Sequence, residues 1–197
     1  MPVPFVGLTG GLGSGKSTAL AALQRLGAMT LSTDAVVHDL YASDEVRDAV
    51  VKRWGPGVAP DGRVDRGAIA KRVFASPEER SWLEGLLWPL VGERVVEFRA
   101  AADAAAPRPP RAAVVETPLL FEAGLDGIYD ATIAVVAPEE VRAARAAARG
   151  HEAVDERARR QLSQEEKAAR ASYVVDNGGT EADLEGKLAG VLASLTR

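Results

Sequence analysis

Residues 10–17 read Gly10-Gly11-Leu12-Gly13-Ser14-Gly15-Lys16-Ser17, a complete G-x-x-x-x-G-K-[ST] pattern. No other stretch restricts the fold as strongly, because the pattern needs a strand before it and a helix after it. Both are legible. Val3 to Thr9 is a short apolar run that reads as a strand buried on both faces. After Ser17, apolar residues recur at Leu20, Leu23 and Leu26, a helical spacing closed by Gly27. Met29 to Thr33 reads as a second strand. Strand, glycine turn, helix and strand together predict a parallel pair with a right-handed crossover.

The chemistry of the loop follows from its residue types. Glycines let the backbone curl until successive N–H groups face one point, and the helix N-terminus adds partial positive charge there. Lys16 is long enough to reach the β- and γ-phosphates of a nucleoside triphosphate, and the Ser17 hydroxyl suits Mg²⁺. Such a loop specifies the triphosphate, not the reaction. Asn177 is the only asparagine and Gly178-Gly179-Thr180 follows it, so the guanine-reading Asn-Lys-x-Asp motif is absent. The Leu-Ser-Gly-Gly-Gln signature of transporter-type ATPases is absent too. With 197 residues, a small-molecule kinase fits best.

The remaining chain alternates accordingly. Residues 35–106 carry a helical signal, with a helix start at Ser76-Pro77-Glu78-Glu79 and turns at Gly55-Pro56-Gly57 and Asp61-Gly62. Pro107-Arg108-Pro109-Pro110 returns the chain to strands at Ala112–Glu116 and Thr132–Val136. Pro138-Glu139-Glu140 opens a helix, Ser163-Gln164-Glu165-Glu166 is a capping box, Tyr173–Asp176 is the last strand, and Thr180 caps a final helix. This is an α/β core with two helical excursions. A net charge of −4 argues against a general nucleic-acid or membrane-surface binder. The chain has no cysteine, hence no disulfide framework and no thiolate site. No apolar run reaches membrane-helix length and the first residues lack a signal-peptide pattern, so a cytoplasmic protein is the expectation.

Several side chains stand where they can serve a transfer reaction. Asp34 follows the second strand, at the sheet end where ligands sit in open parallel sheets, and can accept a hydroxyl proton; it can equally cap the next helix. Arg142, Arg145 and Arg149 lie on the helix after Pro138, with Arg157, Arg159, Arg160 and Arg170 beyond, suited to phosphoryl charge or to glutamate partners on a solvated helix. Glu116, at a strand end, is a candidate acidic ligand to Mg²⁺-bound water or a surface residue. His38 and His151 have no metal-ligand spacing and read as ordinary polar residues.

On these stretches the chain resembles the dephospho-coenzyme A kinase family. The matching residues are Gly7 through Thr18, Asp34, Asp65-Arg66 through Val73-Phe74, Pro118-Leu119-Leu120-Phe121-Glu122, Arg145, Arg149, Arg157 with Gln161, Lys167 and Asp176-Asn177. The resemblance implies a P-loop nucleotide-kinase-like core with a five-stranded parallel sheet at 1–35, 106–139 and 171–197. It implies a helical substrate domain at 36–105 and a helical lid at 140–170. It further implies phosphorylation of the ribose 3′-hydroxyl of dephospho-coenzyme A by ATP with Mg²⁺, in a monomer or weak homo-oligomer. Asp34, Lys16 and Arg145 are then the catalytic candidates. Gly11, Gly13, Ser14, Gly15, Lys16, Ser17, Thr18, Arg149 and Asn177 are the ATP-binding ones. Asp34, Arg66, Leu119 and Glu122 are the acceptor-binding ones, with Ser17 at the metal. The chain departs from the family pattern at Ser32 (commonly Asp), Trp88 (commonly His), Arg142 (commonly Gln) and Ser172 (commonly Asp). Two alternatives stay open at this point: a kinase for a nucleoside, a nucleotide or a shikimate-like acid, and a non-enzymatic ATP-dependent switch.

Overall fold

The structure is a computed structural model, and it describes residues 2–147 and 160–195. Its centre is a sheet of five parallel strands: β1 (Phe5–Gly10), β2 (Met29–Ser32), β3 (Ala113–Glu116), β4 (Ala131–Val136) and β5 (Tyr173–Asp176). They lie in the order β2-β3-β1-β4-β5. Parallel registry pairs Leu8 with Glu116 on one side of β1 and with Ile133 on the other. Every residue of β1 is buried, whereas β2 at one edge is only half-buried and β5 at the other varies from buried to exposed. That gradient explains the hydropathy: a central strand with both faces covered reads as an unbroken apolar run, and an edge strand does not.

The helices follow the crossover rule. They are α1 (Lys16–Arg25), α2 (Thr33–Leu40), α3 (Asp44–Trp54), α4 (Arg66–Ala75) and α5 (Pro77–Asp103), then α6 (Glu139–Ala147), α7 (Gln164–Arg170) and α8 (Glu181–Leu195). The main core lies where α1 and α8 meet the sheet. Leu23 of α1 and Leu184, Leu188 and Leu192 of α8 pack with Val6, Leu8, Ile133 and Val135. Each such aliphatic side chain contributes about 1.5–3 kcal/mol by leaving water.

The sequence signals for helix ends hold at several points. Ser163 accepts from the Glu166 N–H at 3.1 Å while Glu166 accepts from the Ser163 N–H at 2.7 Å, a reciprocal capping box at the start of α7. Thr180 and Asp183 do the same for α8. Ser76 Oγ accepts from the Glu79 N–H at 3.3 Å before α5. That helix departs from simple expectation, because it runs for 27 residues with Pro89 inside it. A proline removes one intrahelical bond, and the helix continues on both sides of it.

By packing, the chain divides into two units. One comprises the residues up to Ser32 together with those from Phe98 onward, and the other is Thr33–Glu97. The first contains the whole sheet, α6, α7 and α8. The second is helical, and its own contacts include the edge-on Trp54–Trp82 pair, with ring centroids 5.0 Å apart, and the Arg53–Glu79 ion pair at 3.0 Å.

Candidate active site

The phosphate loop leaves the end of β1 and enters α1. Gly15 stands immediately before the helix in the left-handed region, at φ 91° and ψ 31°, and no side chain caps the first turn. The leading N–H groups of α1 are therefore open to an anion rather than closed by a serine or aspartate. Gly15 is required twice over, because its φ disfavours a side chain and because a Cβ there would coincide with the Asn177 amide. Gly13, at φ 73°, is pressed closely by the backbone of Arg142. Lys16 folds back over the loop, with Nζ donating to the carbonyls of Gly10 at 3.1 Å and Gly11 at 3.2 Å.

Three side chains brace this loop from outside. Asn177 is buried after β5; its Nδ2 donates to Ser14 O at 2.8 Å and its own N–H to Val136 O at 2.7 Å. Arg145 of α6 donates through Nη2 to Asn177 O at 3.3 Å. Its Nη1 lies 3.4 Å from the point where a Gly15 Cβ would stand. Arg142 donates through Nε to Leu12 O at 3.0 Å and pairs with Glu139 at 2.8 Å. Among the described residues, Ser14 Oγ, Arg145 Nη1 and Glu122 Oε2 are buried without a hydrogen-bond partner. An orphaned buried polar atom costs roughly 1–3 kcal/mol, a cost found where a ligand supplies the missing partner. The first two of these atoms border the phosphate loop.

At the ends of β2 and β3 a second polar site forms. The Glu116 carboxylate is buried, and its Oε2 accepts from the Ser32 hydroxyl at 2.7 Å. A serine at this position thus donates to Glu116, which a second carboxylate would not do when ionised. Ser17 is exposed on the first turn of α1 and Thr18 half-buried behind it. Among the described residues no group of three or more His, Cys, Asp or Glu side chains is arranged to hold a metal by itself.

The other expected residues are distributed as follows. Asp34 is exposed in the first turn of α2, and Leu119 is half-buried after β3. Arg66 opens α4 and points its Nη1 at His38 Nδ1, 2.7 Å away. Arginine cannot accept, so in this contact His38 Nδ1 is the acceptor. His38 is four residues beyond Asp34 and shares its helix face. Glu122 is turned inward, with Oε1 accepting from Lys167 at 2.8 Å and from the Leu162 N–H at 2.7 Å. Arg149 and Arg157 lie outside the described residues. The sequence places Arg142 among the arginines suited to phosphoryl charge but does not show its hold on the Leu12 carbonyl, and it gives Lys167 no specific task. Arg142 had one signal, its place one turn into the helix after Pro138. Lys167 had none beyond its family match, since burial of a lysine is invisible in the sequence.

The pattern of the CoaE dephospho-CoA kinase family matches residues 4–183. The chain belongs to that family. Its dephospho-CoA kinase relatives include the protein of Deinococcus radiodurans, 40% identical over 193 residues that cover 96% of this chain and 91% of that one. The protein of Thermus thermophilus is 38% identical over 195 residues, 98% of this chain and 92% of the relative. A crystal structure of a Thermus thermophilus protein, 36% identical, superposes with a TM-score of 0.80 over the full length of both chains. The shikimate kinase of Bacteroides thetaiotaomicron, 14% identical, shares the fold with a TM-score of 0.51 over 99% of each chain. Members of the dephospho-CoA kinase family phosphorylate dephospho-CoA with ATP in the last step of coenzyme A biosynthesis, and this chain is a kinase of that family.

Proposed function

We propose that this chain transfers the γ-phosphoryl group of ATP to the ribose 3′-hydroxyl of dephospho-coenzyme A, with Lys16, Arg145 and Asp34 in the central roles. The observation that carries the reading is the phosphate loop itself. Its uncapped helix start, its folded-back lysine and the two orphaned polar atoms at its border suit a triphosphate tail.

In this reading the loop amides hold the β-phosphate, and Lys16 gives up the Gly10 and Gly11 carbonyls for the phosphates. Ser14 Oγ and Arg145 Nη1 gain their missing partners at the same time. Ser14, Gly15 and Thr18 contact the nucleotide phosphates, Asn177 borders the adenine side, and Arg149 is an additional arginine for ATP. Acceptor contacts fall to Asp34, Arg66 and Leu119. In this reading Glu122 acts from within the fold: Lys167 and the Leu162 N–H hold its Oε1, and its Oε2 is buried.

Mg²⁺ fits the residues present. Ser17 offers a hydroxyl and Glu116 a buried carboxylate, both hard oxygen donors, and Mg²⁺ keeps most of its shell from water and phosphate rather than from a protein cage. When bound, the ion would supply positive charge that stabilises the charge developing on the phosphate. Asp34 accepts the proton of the acceptor hydroxyl as the new P–O bond forms and the bond to ADP breaks, in line. The segment at 140–170, of which 148–159 lie outside the described residues, acts as a lid that excludes water, because an open site would hydrolyse ATP. Among the described residues no helix is long and apolar enough to cross a membrane. A cytoplasmic location and a monomer or weak homo-oligomer complete the proposed reading.

The test is Asp34→Asn. If the carboxylate is the proton acceptor, kcat falls by roughly 10²–10⁴ while the affinity for ATP is unchanged. A kcat within a few-fold of the parent removes Asp34 from the reaction.

A further inference from the structure

Lys167 on α7 is a lysine with no exposed side-chain surface. Its ammonium faces three oxygens: Pro118 O at 2.7 Å, Glu122 Oε1 at 2.8 Å and Thr9 Oγ1 at 3.3 Å. Three acceptors match the three protons it carries. Burial pulls its pKa below the ordinary lysine value, and Glu122 pushes it back up. A buried ion pair is an expensive way to hold a fold together, since apolar residues of similar size often serve as well or better. The position of this one suggests what it does.

Thr9 is the residue before Gly10, where β1 feeds the phosphate loop, and its hydroxyl also donates to Pro118 O at 3.3 Å. Glu122 holds the Leu162 N–H, and α7 begins two residues later. Gln164 in the first turn of α7 accepts from the Ala137 N–H at 2.7 Å, just before α6. Arg142 and Arg145 on α6 brace Leu12, Gly15 and Asn177 at the far side of the loop. The contacts close a circuit: Thr9, Lys167, Gln164, Ala137, α6, the crest of the loop, and back through Gly10 to Thr9.

We propose that Lys167 is a positioning residue for phosphoryl transfer. It ties the strand end that feeds the phosphate loop to the helix pair that carries the loop-bracing arginines, so that both sides of the loop are held in one relation. Lys167 touches neither nucleotide nor acceptor. Removing it leaves the loop gripped from one side only, which loosens the alignment of Lys16 and Arg145 and lets water compete with the acceptor. Misplacement of about 1 Å is enough to cost on the order of 10² in rate.

The proposal rests on the kinase reading, and the test separates the two. ADP release and coenzyme A formation are measured side by side for the parent, for Lys167→Met with Glu122→Gln, and for Thr9→Val. The double variant removes both charges together, so no buried carboxylate is stranded, and the introduced amide oxygen can still accept from the Leu162 N–H. The expected result is a drop of at least about tenfold in kcat for the double variant, with several more ADP released per coenzyme A formed. Thr9→Val shifts that ratio in the same direction by a smaller factor. The ratio does not depend on the fraction of folded enzyme, so a purely structural role would leave it unmoved. A folded double variant with kcat within twofold and an unchanged ratio overturns the proposal. Should the double variant fail to fold, an unchanged ratio in Thr9→Val overturns it. If the parent itself forms no coenzyme A, the kinase reading fails instead.

Discussion

Asn177→Asp is the most informative single substitution, because it changes one atom's hydrogen-bonding role at the centre of the brace. The Asn177 amide donates to Ser14 O at 2.8 Å from a side chain buried to 4% exposure. Aspartate has the same shape but, when ionised, only acceptors. Two oxygens would then face each other at a hydrogen-bond distance, and the loop must shift or the carboxyl must take up a proton. Losing the bond and leaving a buried acceptor unmatched costs about 1–3 kcal/mol. If that cost falls on the ATP-binding conformation of the loop, nucleotide affinity drops roughly 5–150-fold. Calorimetric titration with Mg²⁺ and ATP reads this directly, beside a thermal melt that reports how much of the cost falls on the fold as a whole. The pH dependence gives a sign check. Protonating the introduced carboxyl restores a donor, so the deficit shrinks as pH falls. A folded variant with parental ATP affinity at neutral pH would refute the bracing role of Asn177.

Other consequences can be measured with standard variants. Lys16→Ala should abolish transfer while leaving the melting temperature within a few degrees, since Nζ holds carbonyls of the loop itself; steady-state assays decide, and wild-type turnover would contradict the loop assignment. Leu188→Ala in the α8 contact should cost about 2–5 kcal/mol by denaturant titration, because the side chain is fully buried. Ser163→Ala should cost about 1 kcal/mol through loss of the cap of α7. For acid stability, hydrogen bonds from the Thr180 hydroxyl and N–H hold the Asp183 pKa below its ordinary value, and the Ser163 N–H and hydroxyl do so for Glu166. A depressed carboxyl stabilises the fold above its unfolded pKa and loses that contribution as pH falls through the folded one. Melting temperature should therefore decline between about pH 5 and pH 3, and the decline should be shallower in Asp183→Asn with Glu166→Gln.

What the sequence reveals depends on whether an element is specified locally. The strand–loop–helix opening is legible because its glycines, lysine and flanking apolar periodicity are all short-range signals. The starts of α5, α7 and α8 are legible because a cap is a matter of four residues. The passage of α5 through Pro89 is not, because its continuity does not follow from local propensity. In the site, Gly15 and Lys16 take their tasks from the motif alone. Ser32 and Glu116 cannot be paired in advance, since 84 positions separate them and only the β2–β3 registry brings them together. Lys167 is the sharpest case: a lysine in a helix reads as solvated, and only the tertiary fold shows it enclosed by Thr9, Pro118 and Glu122. Glu122 is an acceptor contact by resemblance alone, and only the tertiary fold shows its Oε1 turned onto Lys167 and the Leu162 N–H.

This phosphate loop serves a kinase whose acceptor is dephospho-coenzyme A. Coupled ADP release, measured with Mg²⁺ and ATP in the presence and absence of dephospho-coenzyme A, tests it most directly. Release should be slow without the acceptor and strongly stimulated by it, with no comparable stimulation by shikimate or nucleosides. Release that ignores dephospho-coenzyme A, or that answers better to one of the other acceptors, would contradict it.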